Sequence, residues 1–312
     1  MSLVTVGTMA FDDLETPRGK AEMIVGGANT YICFAAGFFT QDIKAVSVVG
    51  DDFPQEFMDD LRQRGVDLSG VQVKEGEKSF YWKGRYHDNM NARDTLDTQL
   101  NVLADFDPVL PESYRDAEFV MLGNLTPAVQ MRVLEQLDGT PKLVAMDTMN
   151  FWMDIAMDEL KQVIAKVDVL IINDEEARQL SGDYSLVTAA QTIHAMGPKT
   201  LVIKKGEHGA LLFQQDDSEN ESRIFFAPAL PLAEVFDPTG AGDTFAGGFM
   251  GYIAKTGNTD FEGMKRAIIY GSALASFCVE KFGTERLREI TQEDLQQRVE
   301  QFVELVKFDV EY

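Results

Sequence analysis

Asp237 to Gly248 reads DPTGAGDTFAGG, a glycine-rich turn that runs into a helix. Pro238 stiffens the approach, Gly240 and Gly242 allow backbone angles closed to other residues, and Asp243 opens a helix whose apolar face is Phe245, Phe249 and Ile253. Such a turn aims free backbone N–H groups and the positive end of the helix dipole at one point, which makes an anion hole. A carboxylate beside an anion hole has a second use, because a hydroxyl that accepts a phosphoryl group needs a base for its proton while donors hold the phosphoryl. Asp243 suits that role, and it equally suits a helix cap. Two other phosphate-binding patterns are disfavoured: G-x-G-x-x-G would need glycine at Phe245 and a place after the first strand, and no Walker A sequence is present.

Outward from this turn, short apolar, β-branched runs alternate with helical patterns. Ala45 to Val49, Glu118 to Leu122, Leu143 to Met146, Val167 to Ile172 and Thr200 to Lys204 are mostly bounded by Gly, Pro, Asn or Asp. From residue 118 their starts lie roughly 25 to 33 residues apart, the length of a strand–helix unit. The runs are apolar throughout instead of alternating, as when helices cover both faces of a parallel sheet. The fold class is α/β, a doubly wound, mostly parallel sheet flanked by helices. The last third is helical: Thr244 to Ala254, Glu262 to Lys281 and Gln292 to Val306 carry apolar residues at helical spacing.

Between residues 70 and 100 the texture changes. Val71 to Val73 and Ser79 to Tyr86 (SFYWKGRY) mix polar and aromatic residues without intervening helices, which predicts a small antiparallel sheet apart from the main one. With residues 12–23 this sheet forms a lid, a homodimer surface or both, since an aromatic sheet with one uncovered face needs a partner. Gln214 to Arg223 (QQDDSENESR) reads as a solvated hairpin tip. With no repeat or linker, residues 1–312 form a single domain with that lid.

The composition narrows the function. Of 312 residues, 51 are Asp or Glu and 28 Lys or Arg, a formal charge of −23 that repels nucleic-acid phosphates and anionic membranes. Cys33 and Cys278 form no C-x-x-C pair or zinc spacing, which argues against a disulfide scaffold or structural zinc. No run of about 18 apolar residues occurs, so a soluble, cytoplasmic protein is expected.

Asp237 to Gly248 closely resembles the second signature of the ribokinase-like (PfkB-type) carbohydrate and nucleoside kinases. Gly26-Gly27 with Ala35-Ala36-Gly37 and Val49-Gly50-Asp51-Asp52 resembles the first, and the likeness runs in order over essentially the full chain. The resemblance implies ATP and Mg²⁺ as cofactors, Asp243 as the catalytic base, and Gly240, Ala241 and Gly242 as the anion hole. It gives Asn173 and Glu176 of N-x-x-E a part in placing Mg²⁺ and phosphates, Glu176 partly through water; the same residues would also start a helix. Lys204, Gly206 and Gly209 match the nucleotide-contacting loop, although a tight turn also needs those glycines. Asp237 and Thr239 match positions that bind a monovalent cation such as K⁺ in some relatives. Asp12 matches the aspartate that holds sugar hydroxyls, and Gly26 and Gly27 let a ligand approach the backbone.

The chain departs from the family in two places. Tyr31 stands where many members carry Asn, with Asn29 two places earlier as the remaining candidate for that substrate contact. Met149 and Phe151 replace the Asn and Arg of a D-x-N-x-R strand end, and a phosphorylated or acidic sugar would want that arginine. The reading is therefore an ATP-dependent kinase for a small neutral sugar. A nucleoside is the alternative acceptor, with Phe80, Tyr81, Trp82, Tyr86, Phe151 and Trp152 as stacking candidates or ordinary packing. A non-catalytic ligand-binding protein on the same fold is the other alternative.

Overall fold

The computed structural model describes residues 1–215, 222–307 and 309. In chain order the strands are β1 (Leu3–Val6), β2 (Ala10–Thr16), β3 (Gly19–Gly26), β4 (Ile43–Gly50), β5 (Val66–Lys74), β6 (Phe80–Tyr86), β7 (Arg93–Gln99), β8 (Phe119–Leu122), β9 (Leu143–Asp147), β10 (Val169–Asn173), β11 (Thr200–Lys204), β12 (Ala210–Gln215) and β13 (Ser222–Ala227). Nine of them form one sheet in the order β13-β12-β11-β10-β9-β8-β1-β4-β5. From β11 to β5 every pairing is parallel, and β12 and β13 close one edge as an antiparallel hairpin. The predicted apolar runs are its centre, because Val169 to Ile172 and Leu201 to Ile203 are buried on both faces.

The helices cover the two faces. One layer holds Ala28–Ala36, Ala241–Thr256 and Phe261–Cys278, whose Phe34, Phe249, Ile253, Ala267 and Leu274 share a core. The other face packs Leu160, Ile164, Ala177 and Ile193 against the sheet. Helix Ala241–Thr256 carries a glycine where it crosses Ala28–Ala36: a β-carbon on Gly247 would stand 2.4 Å from the Ile32 carbonyl oxygen. That close crossing fixes the start of the helix over the sheet. Strand β1 lies between β4 and β8, so the sheet is built outward from it in both directions. Strands β9, β10 and β11 end in Asp147, Asn173 and Lys204, and the site is built at these carboxyl ends.

The second sheet has the order β3-β2-β6-β7. Two antiparallel hairpins, β2–β3 and β6–β7, are joined by a parallel pairing of β2 with β6. Its extent differs from the sequence expectation. Val71 and Val73 belong to β5 and pair with Ser47 and Val49 of the large sheet, so the second arm of the lid begins at Phe80. No helix separates β5 from β6, and composition alone does not show where one sheet ends and the other begins. The expected polar tip lies between the paired Gln215 and Ser222, and its residues 216–221 fall outside the described residues. Among the described residues no helix is long and apolar enough to cross a membrane.

Candidate active site

Gly240 caps the helix Ala241–Thr256 in the left-handed conformation, at φ 74° and ψ −1°, where a side chain would be strained. The Ala241 N–H donates to the Pro238 carbonyl at 3.2 Å, and the Thr244 N–H donates to the Gly240 carbonyl at 2.8 Å. No side chain among the described residues caps this end, which leaves the amides of Gly242 and Asp243 in the first turn. Two expectations are thereby revised. Ala241 does not offer its amide to an anion, and Asp243, third in the helix, is not its cap.

Asp243 is half-buried, and desolvation of its carboxyl raises it from its ordinary 3.8 to about 7; Asp147 adds to the rise, while Lys204 and Arg93 oppose it. Asp147 ends β9 and Lys204 ends β11, separated by β10, whose Ile171 pairs with Asp147 and whose Asn173 pairs with Lys204. The Lys204 ammonium lies 3.4 Å from both Asp147 oxygens. It also borders the helix start, since a β-carbon on Gly242 would stand 3.0 Å from its Nζ. Burial alone would lower the Lys204 pKa, but Asp147, Glu176 and Asp243 outweigh it and hold the amine charged. A half-buried cation thus sits beside an uncapped helix N-terminus, an arrangement that attracts anions.

Asn173 and Glu176 form a reciprocal cap at the start of helix Asp174–Ser181: the Asn173 N–H donates to Glu176 Oε2 at 2.7 Å, and the Glu176 N–H donates to Asn173 Oδ1 at 2.8 Å. The helix-starting role is therefore real, and the cap also fixes the Glu176 carboxyl beside Asp147 and Lys204. Burial, then Asp147, raises that carboxyl to about 7. After β11, the Lys205 N–H donates to the Gly209 carbonyl at 2.7 Å, closing a turn in which Gly206 and Gly209 have φ of 53° and 86°. The lid reaches this turn: Asn91 Oδ1 is 2.9 Å from where a Gly206 β-carbon would lie.

On the other side of Asp243, the β2 residue Asp12 is 4% exposed. Gly26 makes room for the Asp12 carboxylate itself, because a β-carbon there would stand 2.0 Å from Oδ2. Burial, followed by Asp237 and Asp243, raises Asp12 to about 8, against a hydrogen bond from the Gly27 amide. Asp237 accepts the Thr239 N–H at 2.8 Å and the Gly283 N–H at 2.9 Å, bracing two loops, and burial raises it to about 6. The Thr239 hydroxyl donates to the lid's Tyr86 hydroxyl at 3.0 Å.

These features are a half-buried carboxyl near 7, an uncapped helix start with a cation beside it, and a separate group of carboxyls beneath a small sheet. The pfkB family carbohydrate kinase model matches residues 3–290. The chain belongs to this family. The kinase is 31% identical over 256 residues to the cytidine kinase of Thermococcus kodakarensis, covering 80% of this chain and 87% of that protein. It is 30% identical over 243 residues to the 2-dehydro-3-deoxygluconokinase of Thermoproteus tenax, covering 73% of each. The fold is also that of the Burkholderia thailandensis nucleoside kinase solved with inosine, with a TM-score of 0.74 at 19% identity, covering 96% of this chain and 98% of that one. This PfkB kinase is an ATP-dependent phosphotransferase that acts on a hydroxyl group.

Among the sequence candidates, the structure brings Asp243, Gly240, Gly242, Glu176 and Lys204 together on one side of the cleft and Asp12, Gly26, Gly27 and Asp237 on the other. Asn29 points elsewhere. Its side chain is fully buried, its amide donates to the Val46 and Thr5 carbonyls at 3.3 and 3.5 Å, and its oxygen accepts from the Cys33 thiol at 3.7 Å. It ties helix Ala28–Ala36 to β1 and β4, so it does not take over the substrate contact expected of it. Trp152 donates its indole N–H to Asn124 at 2.8 Å, and Phe151 packs edge-on against it.

Two members of the site were not found in the sequence. Asp147 stood in a segment noticed only for its missing Asn and Arg. Arg93, from the lid strand β7, acts on both Asp243 and Glu176. No local pattern distinguishes Arg93 from the other charges of RDTLDTQ; it is itself exposed, lies 5.9 Å over the Trp82 ring, and reaches Asp243 and Glu176 only as a charge carried by the lid.

Proposed function

We propose that the kinase transfers the γ-phosphoryl group of ATP to a hydroxyl of a neutral acceptor bearing a polyol, with a nucleoside favoured over a free sugar. The observation that carries this reading is the environment of Asp12, where the charged groups acting most strongly are carboxylates: Asp237, Asp243 and Asp13. A pocket so lined favours hydroxyl donors and repels anions. That argues against an acidic acceptor such as the one named for the Thermoproteus relative, in keeping with Met149 and Phe151 at the D-x-N-x-R positions. The cytidine kinase relative, matched over most of both chains, supports a nucleoside.

In this reading Asp12 accepts hydrogen bonds from acceptor hydroxyls. Asp243 takes the proton of the attacking hydroxyl as its oxygen bonds to the γ-phosphorus and the bond from that phosphorus to the bridging oxygen of ADP breaks. A carboxyl near 7 is poised to take a proton at neutral pH and release it after turnover. The Gly242 and Asp243 amides and the Lys204 ammonium hold the migrating phosphoryl, while Asn173, Gly206 and Gly209 border the nucleotide.

Among the described residues no three acidic, histidine or cysteine side chains form a metal cage. Mg²⁺ suits such a donor set, because it binds through one or two carboxylates with phosphates and water completing its shell. Glu176 would hold it through water, and when bound it neutralises charge on the phosphate oxygens. A K⁺ ion near Asp237 and Thr239 would share a carboxylate already braced by two N–H groups. The lid exposes Met23 and Leu96, which supports a homodimer through that sheet, and two free buried thiols suit the cytoplasm.

The test is ADP release with Mg²⁺-ATP across ribonucleosides and neutral sugars, with Asp243→Asn as control. A nucleoside is expected to give the highest kcat/KM, and the control is expected to abolish it. A folded, ATP-binding protein that is silent toward every neutral acceptor would overturn the reading.

A further inference from the structure

One cation of the lid hairpin β6–β7 stands apart from its neighbours. Lys83 and Arg85 of β6 pair with Asp13 and Glu15 at 3.5 and 2.8 Å, whereas the exposed Arg93, which opens β7, makes no ion pair among the described residues. Its guanidinium carbon lies instead 5.9 Å from the centre of the Trp82 ring. That ring is held in place: its N–H donates to the Thr95 hydroxyl at 3.2 Å, and it lies over Gly84, where a β-carbon would stand 2.1 Å from the ring's Cη2. Trp82, Gly84 and Tyr86 alternate onto one face of β6, and Thr95 and Arg93, the β7 partners of Gly84 and Tyr86, share that face. Two contacts fix where the hairpin sits. The Tyr86 hydroxyl accepts from the hydroxyl of Thr239, the residue before Gly240, at 3.0 Å. Asn91, two residues before Arg93, has its Oδ1 2.9 Å from where a Gly206 β-carbon would lie. Arg93 is thus carried between the turn that starts helix Ala241–Thr256 and the turn that follows β11, and its charge is felt at Asp243 and Glu176. A guanidinium stacked on an aromatic ring keeps its fork of N–H donors free, and that fork matches a phosphate.

We propose that Trp82 is a positioning residue: it holds Arg93 over the cleft, where Arg93 binds the phosphates during transfer. The assignment rests on the reading above that the phosphates lie by the Gly242 and Asp243 amides and Lys204. With Tyr86 on Thr239 and Asn91 beside Gly206, the hairpin adds a second cation to the one on β11, and it does so from the element that covers the acceptor. Positive charge on the migrating phosphoryl is then complete only when the lid is down, so transfer is favoured with the acceptor enclosed and water excluded. The competing accounts are that Trp82 and Arg93 are surface packing of the lid, or that the indole serves the acceptor directly.

The test measures kcat and both KM values with Mg²⁺-ATP and the neutral acceptor on which the wild type is most active. The variants are Arg93→Met, Arg93→Lys, Trp82→Leu, Trp82→Phe and the double variant of Arg93→Met with Trp82→Leu. Arg93→Met should lower kcat about tenfold or more with the acceptor KM near its wild-type value, and Arg93→Lys should lose less. Trp82→Leu should lower kcat about three- to tenfold, and Trp82→Phe, which keeps a ring beneath the guanidinium, should restore most of it. The double variant should be no slower than Arg93→Met alone, because the ring then has no arginine to hold. A second readout needs no turnover. In Trp152→Phe, where Trp82 is the remaining tryptophan, a non-hydrolysable ATP analogue with Mg²⁺ should shift the indole emission, and Arg93→Met should abolish the shift. Losses that multiply in the double variant, an effect of Trp82→Leu confined to the acceptor KM, or an emission that ignores the analogue would overturn the role of Trp82. A normal kcat in Arg93→Met beside an inactive Asp243→Asn would overturn the phosphate role of Arg93 alone, whereas an Asp243→Asn that turns over near the wild-type rate would overturn the reading of the site beneath it.

Discussion

Asp12 offers a test in which stability and function move in opposite directions. Burial, with Asp237 and Asp243, raises its carboxyl from 3.8 to about 8 in the folded protein. Between those values the folded chain holds a proton that the unfolded chain has released. The stability contributed by the neutral form is therefore complete below about pH 4, is lost as pH rises toward 8, and levels off above it. At about 1.4 kcal/mol per tenfold change in proton affinity, the whole rise has an upper bound on the order of 5 kcal/mol. Local relaxation and water penetration reduce such burial penalties, so the part removed by Asp12→Asn is about 2 to 3 kcal/mol. A chain of this length has an unfolding entropy that turns 1 kcal/mol into about 1.5 °C. The melting temperature of Asp12→Asn relative to wild type should therefore rise by about 3 to 5 °C between pH 5 and pH 9, measured by calorimetry without ligands. In the same variant the acceptor KM at pH 9, where Asp12 is ionised, should rise, because an amide cannot accept two hydroxyl protons as a carboxylate does. Melting curves that run parallel across that range would refute the account of Asp12 as a carboxyl held neutral by burial and its acidic neighbours.

Other consequences concern the phosphoryl side. Because Asp243 must be ionised to act as a base and its carboxyl is raised to about 7, kcat/KM should fall as pH drops below about 7, and Asp243→Asn should remove that limb with roughly 10²- to 10⁴-fold of kcat. Lys204→Met leaves Asp147, Glu176 and Asp243 without their shared cation, so the limb should move to higher pH and the fold should lose about 3 to 5 kcal/mol; a limb that stays in place would show that Lys204 does not act on the base. Arg93→Met should lower kcat by about tenfold or more while leaving the acceptor KM near its original value; a change confined to acceptor KM would place Arg93 on the acceptor side.

The main sheet was legible because its strands are apolar on both faces and are set off by turn residues, and Thr200 to Lys204 was bounded as the structure has it; so was the helix Gln292 to Val306, by its helical spacing. The turn at Gly240 was equally legible, since its glycines, the following helix and Asp243 are local to one stretch. What the sequence hid is long-range. Asp147 and Lys204 are 57 residues apart and meet only because β9 and β11 flank β10. Val71 and Val73 have the mixed character of a lid strand because β5 is an edge strand, half covered. Asn29 looked like a polar residue near a binding turn, yet its helical position directs it into the sheet, where backbone carbonyls need donors. In each case periodicity gives the element but not the direction in which an element's polar side chain will face.

A chain with a formal charge of −23 that must hold a polyanionic nucleotide poses an electrostatic problem, and the site answers it by segregation. Lys204, Arg93 and the start of helix Ala241–Thr256 gather positive potential around Asp147, Glu176 and Asp243, while the charged groups around Asp12 are carboxylates, so the proposed phosphate and acceptor sides differ in charge. The same burial that makes these carboxyls costly to ionise raises Glu176 and Asp243 to about 7, which reduces their repulsion toward an entering phosphate. Once a cation and the phosphates occupy their places, opposite charge favours the carboxylate form at Glu176. Asp243, which acts on both groups, would in the proposed transfer be the carboxyl that takes the acceptor's proton as the new bond to phosphorus forms. The uneven distribution of charge within the cleft, more than the net charge of the chain, is what reconciles an acidic protein with phosphoryl transfer.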